Sequence, residues 1–291
     1  MRAPDSPAES IVRSRRNSTV QSLRRLAGSP EARRDEASYL ADGVRLVEEA
    51  VRSGAPISLA ICSPRLAREA RGQHLQAALE RAAEQRIAAT DDVIAAIVGV
   101  PRHQGVVIRL RLEAARLETS LDPARSDLAV VACGVQDPGN LGGVLRVAAA
   151  AGVGLGVVAA GSADSWGPKA VRASAGAIFR MRVARGADPG TALAQARAAG
   201  YRVVAAHARG GTPYRKVDWG PPTALLLGGE GGGLAEGILE ACDETATIPM
   251  ASEVESLNVL SAATLLLYAA AEARARRHPD GVSRPGASRR A

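Results

Sequence analysis

The sequence predicts an α/β protein in two parts, a doubly wound parallel sheet preceded by a smaller α/β unit. Three observations carry this. LAVVACGV, residues 128–135, is an almost unbroken apolar run of strand length, as expected of a parallel strand buried on both faces. Strand-like runs recur at GLGVVAA, FRMRVA, YRVVAAH, TALLLGG and TATIPM, with helical stretches between most of them, the alternation of an open doubly wound sheet. The same alternation runs on a smaller scale before residue 111.

In chain order, residues 1–16 are rich in Pro, Ser and Arg and read as a disordered basic arm. Residues 17–110 read as the small α/β unit. TVQSLRRLA is a helix, and SYLADGVRLVEEAVRSG is a strand end followed by an amphipathic helix with a glycine stop. PISLAIC is a strand, PRLAREARGQHLQAALERAAEQ one long helix, DDVIAAIVG a helix with Asp N-cap candidates, and HQGVVIRLRL a strand. Residues 111–127 lack a period and read as a linker. The parallel sheet occupies 128–278, and 279–291 reads as a disordered tail.

Hydrophobic residues make up 46% of the chain, enough for a real core, but aromatics only 2%, so Ala, Val, Leu and Ile must build it. The net charge is +7, and lysine occurs only at Lys169 and Lys216. The positive charge is therefore nearly all guanidinium, which pairs bidentately with phosphate. A basic balance points to a polyanion, most often nucleic acid. Cys62, Cys133 and Cys242 are too few and too scattered for a metal site or a disulfide framework, so a reducing cytoplasm is expected. The first 25 residues lack an apolar signal core. The apolar run after Asn258 is interrupted by Ser261, Thr264 and Glu272 and is too polar to span a membrane.

Three loops that follow strands carry the chemistry. In QDPGNLGGVLRVAAAAG, residues 136–152, glycines allow a sharp turn, and Asn140 and Arg146 bracket the first helical turns. No Gly-Lys-Ser/Thr follows, so this is not a Walker phosphate loop. In LLLGGEGGGL, residues 225–234, five glycines surround Glu230, presenting bare backbone at the carboxyl end of a strand, where open α/β sheets bind ligands. In IPMASEVESLNVLSAATLLLY, polar Ser256 and Asn258 stand at the mouth of an apolar helix. Capping would explain one of them; a ligand at that mouth would explain both.

Taken together, N-L-G-G-V-L-R at 140–146, L-G-G-E-G-G-G-L at 227–234 and I-P-M-x5-S-L-N-V at 248–259 resemble the SpoU (TrmH-type) RNA ribose 2′-O-methyltransferases of the SPOUT class. The resemblance covers residues 128–275. More loosely, YLADGVRLVEEAV and HQGVVI resemble the small substrate-binding domain many members carry. The resemblance implies a C-terminal trefoil knot, which ordinary topology rules would have excluded. It implies S-adenosyl-L-methionine as cofactor and no metal. By position, Gly228, Ile248 and Leu257 would hold the cofactor, with Leu227 and Met250 flanking the adenine and Gly229, Gly233 and Asn258 lining the same loops. Arg146 is the residue the resemblance assigns to the ribose hydroxyl. Arginine is a poor base, so either burial lets it deprotonate or it stays cationic and stabilises the alkoxide while phosphate or water takes the proton. Asn140, Glu230, Ser256 and Asn258 would complete the network.

The resemblance also implies a homodimer, with Arg146 approaching the partner's cofactor, and RNA as substrate, with large-subunit ribosomal RNA favoured over transfer RNA. Members with this layout include enzymes that confer resistance to ribosome-targeting antibiotics by methylating 23S rRNA; the arginine-rich composition suits a high-GC actinobacterial source, and housekeeping modification fits equally. The rival readings are a non-catalytic RNA-binding protein on the same fold and a nucleotide-dependent oxidoreductase, which lacks its glycine fingerprint. Lys169 and Arg172 at a helix start are candidates for RNA contact. His103 reads as a loop residue, and Trp166 and Trp219 as packing or stacking residues.

Overall fold

The computed structural model describes residues 11–113, 115–251 and 254–277; the tail at 279–291 and the first ten residues of the basic arm lie outside them. The chain forms two compact units, one running to Glu113 and including Trp166–Arg172, the other made of the remainder.

The first unit contains α1 (Ser18–Gly28), α2 (Pro30–Asp35), β1 (Ser38–Asp42), α3 (Val44–Ser53), β2 (Ile57–Cys62), α4 (Ala70–Ala82), β3 (Ala83–Ala88), α5 (Asp91–Val98) and β4 (Val106–Arg111). Its sheet runs β1-β4-β2-β3, with only the β2–β3 pair parallel. Leu23 and Leu26 of α1 meet Leu59 and Ile61 of β2 and Ile94 and Ile97 of α5 in the core. α1 starts where Asn17 Oδ1 accepts the Thr19 N–H at 2.9 Å, an N-cap worth about 1 kcal/mol.

Four expectations change in this unit. The helix expected to run to residue 85 stops at Ala82, and Ala83–Ala88 pairs instead with β2. Glu84, Gln85 and Arg86 are exposed there, so their polarity reflects a sheet edge rather than a helix surface. Thr90, not an aspartate, occupies the N-cap position of α5; Asp91 sits in the first turn and accepts from Ser63 Oγ at 2.5 Å and Arg65 Nε at 3.3 Å. Residues 11–16 are ordered, because the Val12 N–H donates to the Ala88 carbonyl at 2.8 Å and its carbonyl accepts from Thr90 N at 3.0 Å. Residues 166–172 group with this unit: the Trp166 ring lies 4.6 Å from the Tyr39 ring, and Arg172 pairs with Asp42 at 2.7 Å. His103 is buried, and its Nδ1 accepts from the Gly105 N–H at 3.1 Å, fixing the turn into β4.

The second unit contains α6 (Leu117–Ser120), β5 (Leu128–Cys133), α7 (Pro138–Ala150), β6 (Leu155–Val158), α8 (Pro168–Ala173, grouped through Arg172 with the first unit), β7 (Arg182–Arg185), α9 (Pro189–Ala198), β8 (Arg202–Ala206), β9 (Thr212–Pro213), β10 (Thr223–Gly228), α10 (Glu236–Glu240), β11 (Glu244–Thr247) and α11 (Val259–Arg277). All seven strands are parallel, in the order β7-β6-β5-β10-β8-β11-β9. β5 and β10 are central, and every residue of β5 is buried, which is why it reads as continuous rather than alternating. The stretch expected as linker is partly structured: Leu117 and Leu121 join the core, and the Ala115 N–H donates to the Val183 carbonyl at 3.2 Å.

Ala224 and Leu226 of β10 point into a core shared with α9. By the two-residue period of a strand, Leu225 and Leu227 point to the other face, where α11 packs on α7 and β10. Small residues make this close. A Cβ at Gly143 would come within 2.7 Å of Leu260 Cδ2, so α7 carries glycine where α11 crosses it. The far end of α11 is tied by Arg274, which lies 3.0 Å from the Asp127 carboxylate and donates to the Asp127 and Pro221 carbonyls at 2.9 and 3.1 Å. Burial, partly countered by Asp127, lowers the affinity of this guanidinium for its proton. Among the described residues, no helix is long and apolar enough to cross a membrane.

Candidate active site

In a parallel sheet the loops leaving the carboxyl ends of the strands gather at one edge. Three of them are the loops singled out above: 134–140 after β5, 229–234 after β10, and 248–258 between β11 and α11. α7 begins with Asp137 as N-cap, its Oδ1 accepting the Asn140 N–H at 2.8 Å, and Pro138 at the first helical position, where a missing N–H does no harm. Asp137 therefore caps the helix, and the Asn140 side chain is released for other contacts.

Those contacts join the three loops. The Leu260 N–H donates to Asn258 Oδ1 at 2.9 Å, Asn258 Nδ2 to Asn140 Oδ1 at 3.3 Å, and Asn140 Nδ2 to Glu230 Oε1 at 2.7 Å. Glu230 Oε2 accepts the Gln136 N–H at 3.1 Å. The chain has one consistent polarity. It ends on a carboxylate, which only accepts, and this fixes which way both amides face. Asn258 thus caps α11 and ties it to α7 in a single arrangement.

Burial alone would raise the Glu230 carboxyl, but the bonds from Asn140 and from backbone N–H groups outweigh it and hold the group below the ordinary glutamate value. A depressed carboxylate contributes stability above its unfolded pKa and loses it as the pH falls through the folded one. The tie is therefore complete at neutral pH and opens only in acid below the ordinary glutamate range. Glu230→Gln cannot satisfy both neighbours, because one of its amide atoms must face a donor with a donor. A charge-assisted bond contributes about 1.5–3 kcal/mol, so the substitution is expected to lower kcat/KM by roughly 10- to 150-fold. Steady-state kinetics alongside thermal melts will separate this from unfolding.

The Gly-rich loop packs against the first loop through bare backbone. A Cβ at Gly229 would lie 1.8 Å from the Gly134 carbonyl oxygen. Gly134 and Val135 in turn donate to Ser162 Oγ at 2.9 and 3.3 Å. Of the other expected residues, Leu227 is buried in β10, and Gly228, Ile248 and Met250 are half-buried. Gly233 is exposed and donates its N–H to the Gly229 carbonyl at 3.2 Å. Leu257 is 39% exposed, and Ser256 is exposed, its side chain making no hydrogen bond among the described residues.

Arg146 stands apart. It lies six residues after Asn140 on α7, which turns it about 120° around the helix from that side chain. It is exposed and makes no hydrogen bond or ion pair among the described residues. Glu230, whose oxygens are taken by Asn140 and Gln136, does not hold it. The sequence reading missed Gln136, Asp137 and Ser162. The Asp-Pro pair before an apolar run signalled the cap; nothing local marked Ser162, which arrives from the loop after β6.

Three glycine-rich or helix-entry loops joined at the carboxyl edge of a parallel sheet are the arrangement of a ligand-binding α/β domain. The comparison with known proteins gives its class. Residues 127–268 match the SpoU rRNA Methylase family and residues 17–107 the MRM3-like substrate binding domain. The chain is 30% identical over 88% of its length to 97% of the 23S rRNA (guanosine(2553)-2′-O)-methyltransferase RlmP of Bacillus subtilis. It is likewise 30% identical over 94% of its length to 96% of the 23S rRNA (uridine(2479)-2′-O)-methyltransferase of Streptomyces viridochromogenes. The crystal structure of an AdoMet-bound rRNA methyltransferase from Sinorhizobium meliloti superposes with a TM-score of 0.78 at 29% identity, covering 92% of this chain and 97% of that one. The chain belongs to the SpoU rRNA methylase family and is an RNA methyltransferase.

Proposed function

We propose that this protein transfers a methyl group from S-adenosylmethionine to the 2′-oxygen of one ribose in large-subunit ribosomal RNA. The observation that carries this is the tie among Asn140, Glu230 and Asn258, which joins the three family loops at the carboxyl edge of the sheet. The residues suit such a donor: the segment leading to α11 carries apolar Ile248, Met250 and Leu257 for an adenine, and the 229–234 loop carries bare glycine backbone for its polar edge. The bound cofactor supplies an electrophilic sulfonium methyl, and the ribose oxygen loses its proton as it takes that carbon. The protein's part is alignment and charge. Arg146, as a solvated cation, stabilises the forming alkoxide, and a phosphate oxygen or water accepts the proton. Ser256 and Asn258 place the ribose, while Asn140 and Glu230 hold the loops.

Arg146 performs this in the cleft of a second subunit. Its exposure, its lack of a partner among the described residues and its turn away from Asn140 support a homodimer, as do exposed Leu265 and Tyr268, three residues apart on α11. The trefoil knot belongs to the same reading, with the last strand and α11 threading through an earlier loop. Residues 17–110 form the substrate arm, and the enzyme works in the cytoplasm. That the relatives named above act on 23S rRNA favours ribosomal over transfer RNA. Mapping 2′-O-methylation on rRNA from cells with and without the gene tests the reading, with drug susceptibility recorded in parallel. One ribose is expected to lose its methyl group in the deletion strain; identical maps, together with no incorporation into unmodified rRNA by purified protein, would overturn it.

A further inference from the structure

HARGGTPYRKV, residues 207–217, leaves β8 at the same carboxyl edge and contains no acidic residue. It carries His207, Arg209, Arg215 and Lys216, the last being one of only two lysines in the chain. Apart from Arg146, several arginines elsewhere in this unit are neutralised: Arg185 by Asp164, Arg197 by Asp243, Arg202 by Glu244 and Arg277 by Asp218. Here they are not. Arg209 and Lys216 are exposed, and neither side chain has a hydrogen-bond or ion-pair partner among the described residues. Arg215 lies over the Tyr214 ring, 5.4 Å from its centroid, with Nε donating to the phenol oxygen at 3.0 Å. That pair is a planar, cationic face of the kind on which a base stacks.

The segment is also held in place. The His207 N–H donates to the Ala246 carbonyl at 3.0 Å, the Tyr214 N–H to the Thr247 carbonyl at 2.8 Å, and Thr247 Oγ1 to the Ala208 carbonyl at 3.3 Å. Thr247 immediately precedes Ile248, so the free cations are stitched to the root of the loop assigned to the cofactor. Trp219 Nε1 donates to the Tyr214 carbonyl at 2.7 Å from a buried ring, bracing the far side.

We infer that residues 207–216 form a second RNA contact, separate from the substrate arm, that grips the single strand flanking the reactive ribose. Arg209 and Lys216 each take one phosphate, and the Tyr214–Arg215 pair stacks one neighbouring base. This rests on the reading of the protein as an RNA methyltransferase. Unpaired cations beside an aromatic face suit a flexible strand better than a protein surface, because phosphates supply the missing charges and bases the missing stack.

The test uses the full chain, an unmodified 23S rRNA transcript and the double variant R209A/K216A, with Y214A and Y214F alongside. Two lost phosphate contacts should reduce the slope of log affinity against log salt by about 1.4. KM for the RNA should rise roughly tenfold or more, with kcat and S-adenosylmethionine affinity unchanged. Y214A should raise KM and Y214F should not, since the ring rather than the hydroxyl stacks. A double variant with the wild-type slope and KM would overturn the inference, as would a defect seen on ribosomal particles but not on naked RNA, which would assign the patch to a protein. If the wild type transfers no methyl group to RNA, the proposed function fails, and the salt slope still decides this contact.

Discussion

Arg146→Ala is expected to abolish methyl transfer while leaving the protein folded and able to bind S-adenosylmethionine. The side chain is exposed and bonded to nothing among the described residues, so its removal should change stability by no more than about 0.5 kcal/mol. None of the hydrogen bonds joining the three loops runs through it. In the proposed mechanism it supplies charge at the developing alkoxide, and a single donor of that kind contributes roughly 10²–10³ in kcat. Arg146→Lys keeps the charge but loses the planar fork, so it should fall between the two. Single-turnover incorporation of labelled methyl into unmodified rRNA, with calorimetric titration of the cofactor, separates the effects. Turnover near wild type in the alanine variant would remove Arg146 from the mechanism; lost cofactor affinity would make it a binding residue instead.

Much of this arrangement was legible because its signals are local. A buried parallel strand advertises itself by continuity, as β5 does, and the glycine clusters after β5 and β10 mark backbone that must approach something closely. Ala83–Ala88 was not legible. An edge strand with an exposed Glu84, Gln85 and Arg86 has the composition of a helix surface, and only its pairing with β2 decides. Val12 was hidden for the same reason, since its order comes from a strand that the sequence did not reveal. In the site, Asn140, Glu230 and Asn258 could be named as candidates, but not their connection. That depends on Asp137 taking over the cap and on a hydrogen-bond polarity set by one carboxylate. Arg146 could be placed on α7, whereas its separation from Glu230 follows only from the finished helix.

That separation makes Gly229→Ala the sharper experiment when combined with Arg146→Ala. The new methyl would sit 1.8 Å from the Gly134 carbonyl oxygen, a backbone atom braced through Ser162. The loops after β5 and β10 must then part. Overpacking of this kind costs about 1–3 kcal/mol, expected as a roughly 5- to 150-fold loss of cofactor affinity, so the Gly229→Ala protein should be nearly inactive at a cofactor concentration well below its weakened Kd. Each variant alone spoils a different half of the site. If Arg146 serves its own subunit's cleft, mixing the two proteins restores nothing. If it serves the partner's, each heterodimer pairs the intact arginine of one chain with the intact cleft of the other, one of its two sites. Random exchange makes half of all dimers mixed, so activity should recover to about a quarter of wild type. Recovery on mixing and re-equilibration, measured as methyl incorporation per subunit, establishes the shared site; its absence in subunits shown to exchange returns Arg146 to its own chain.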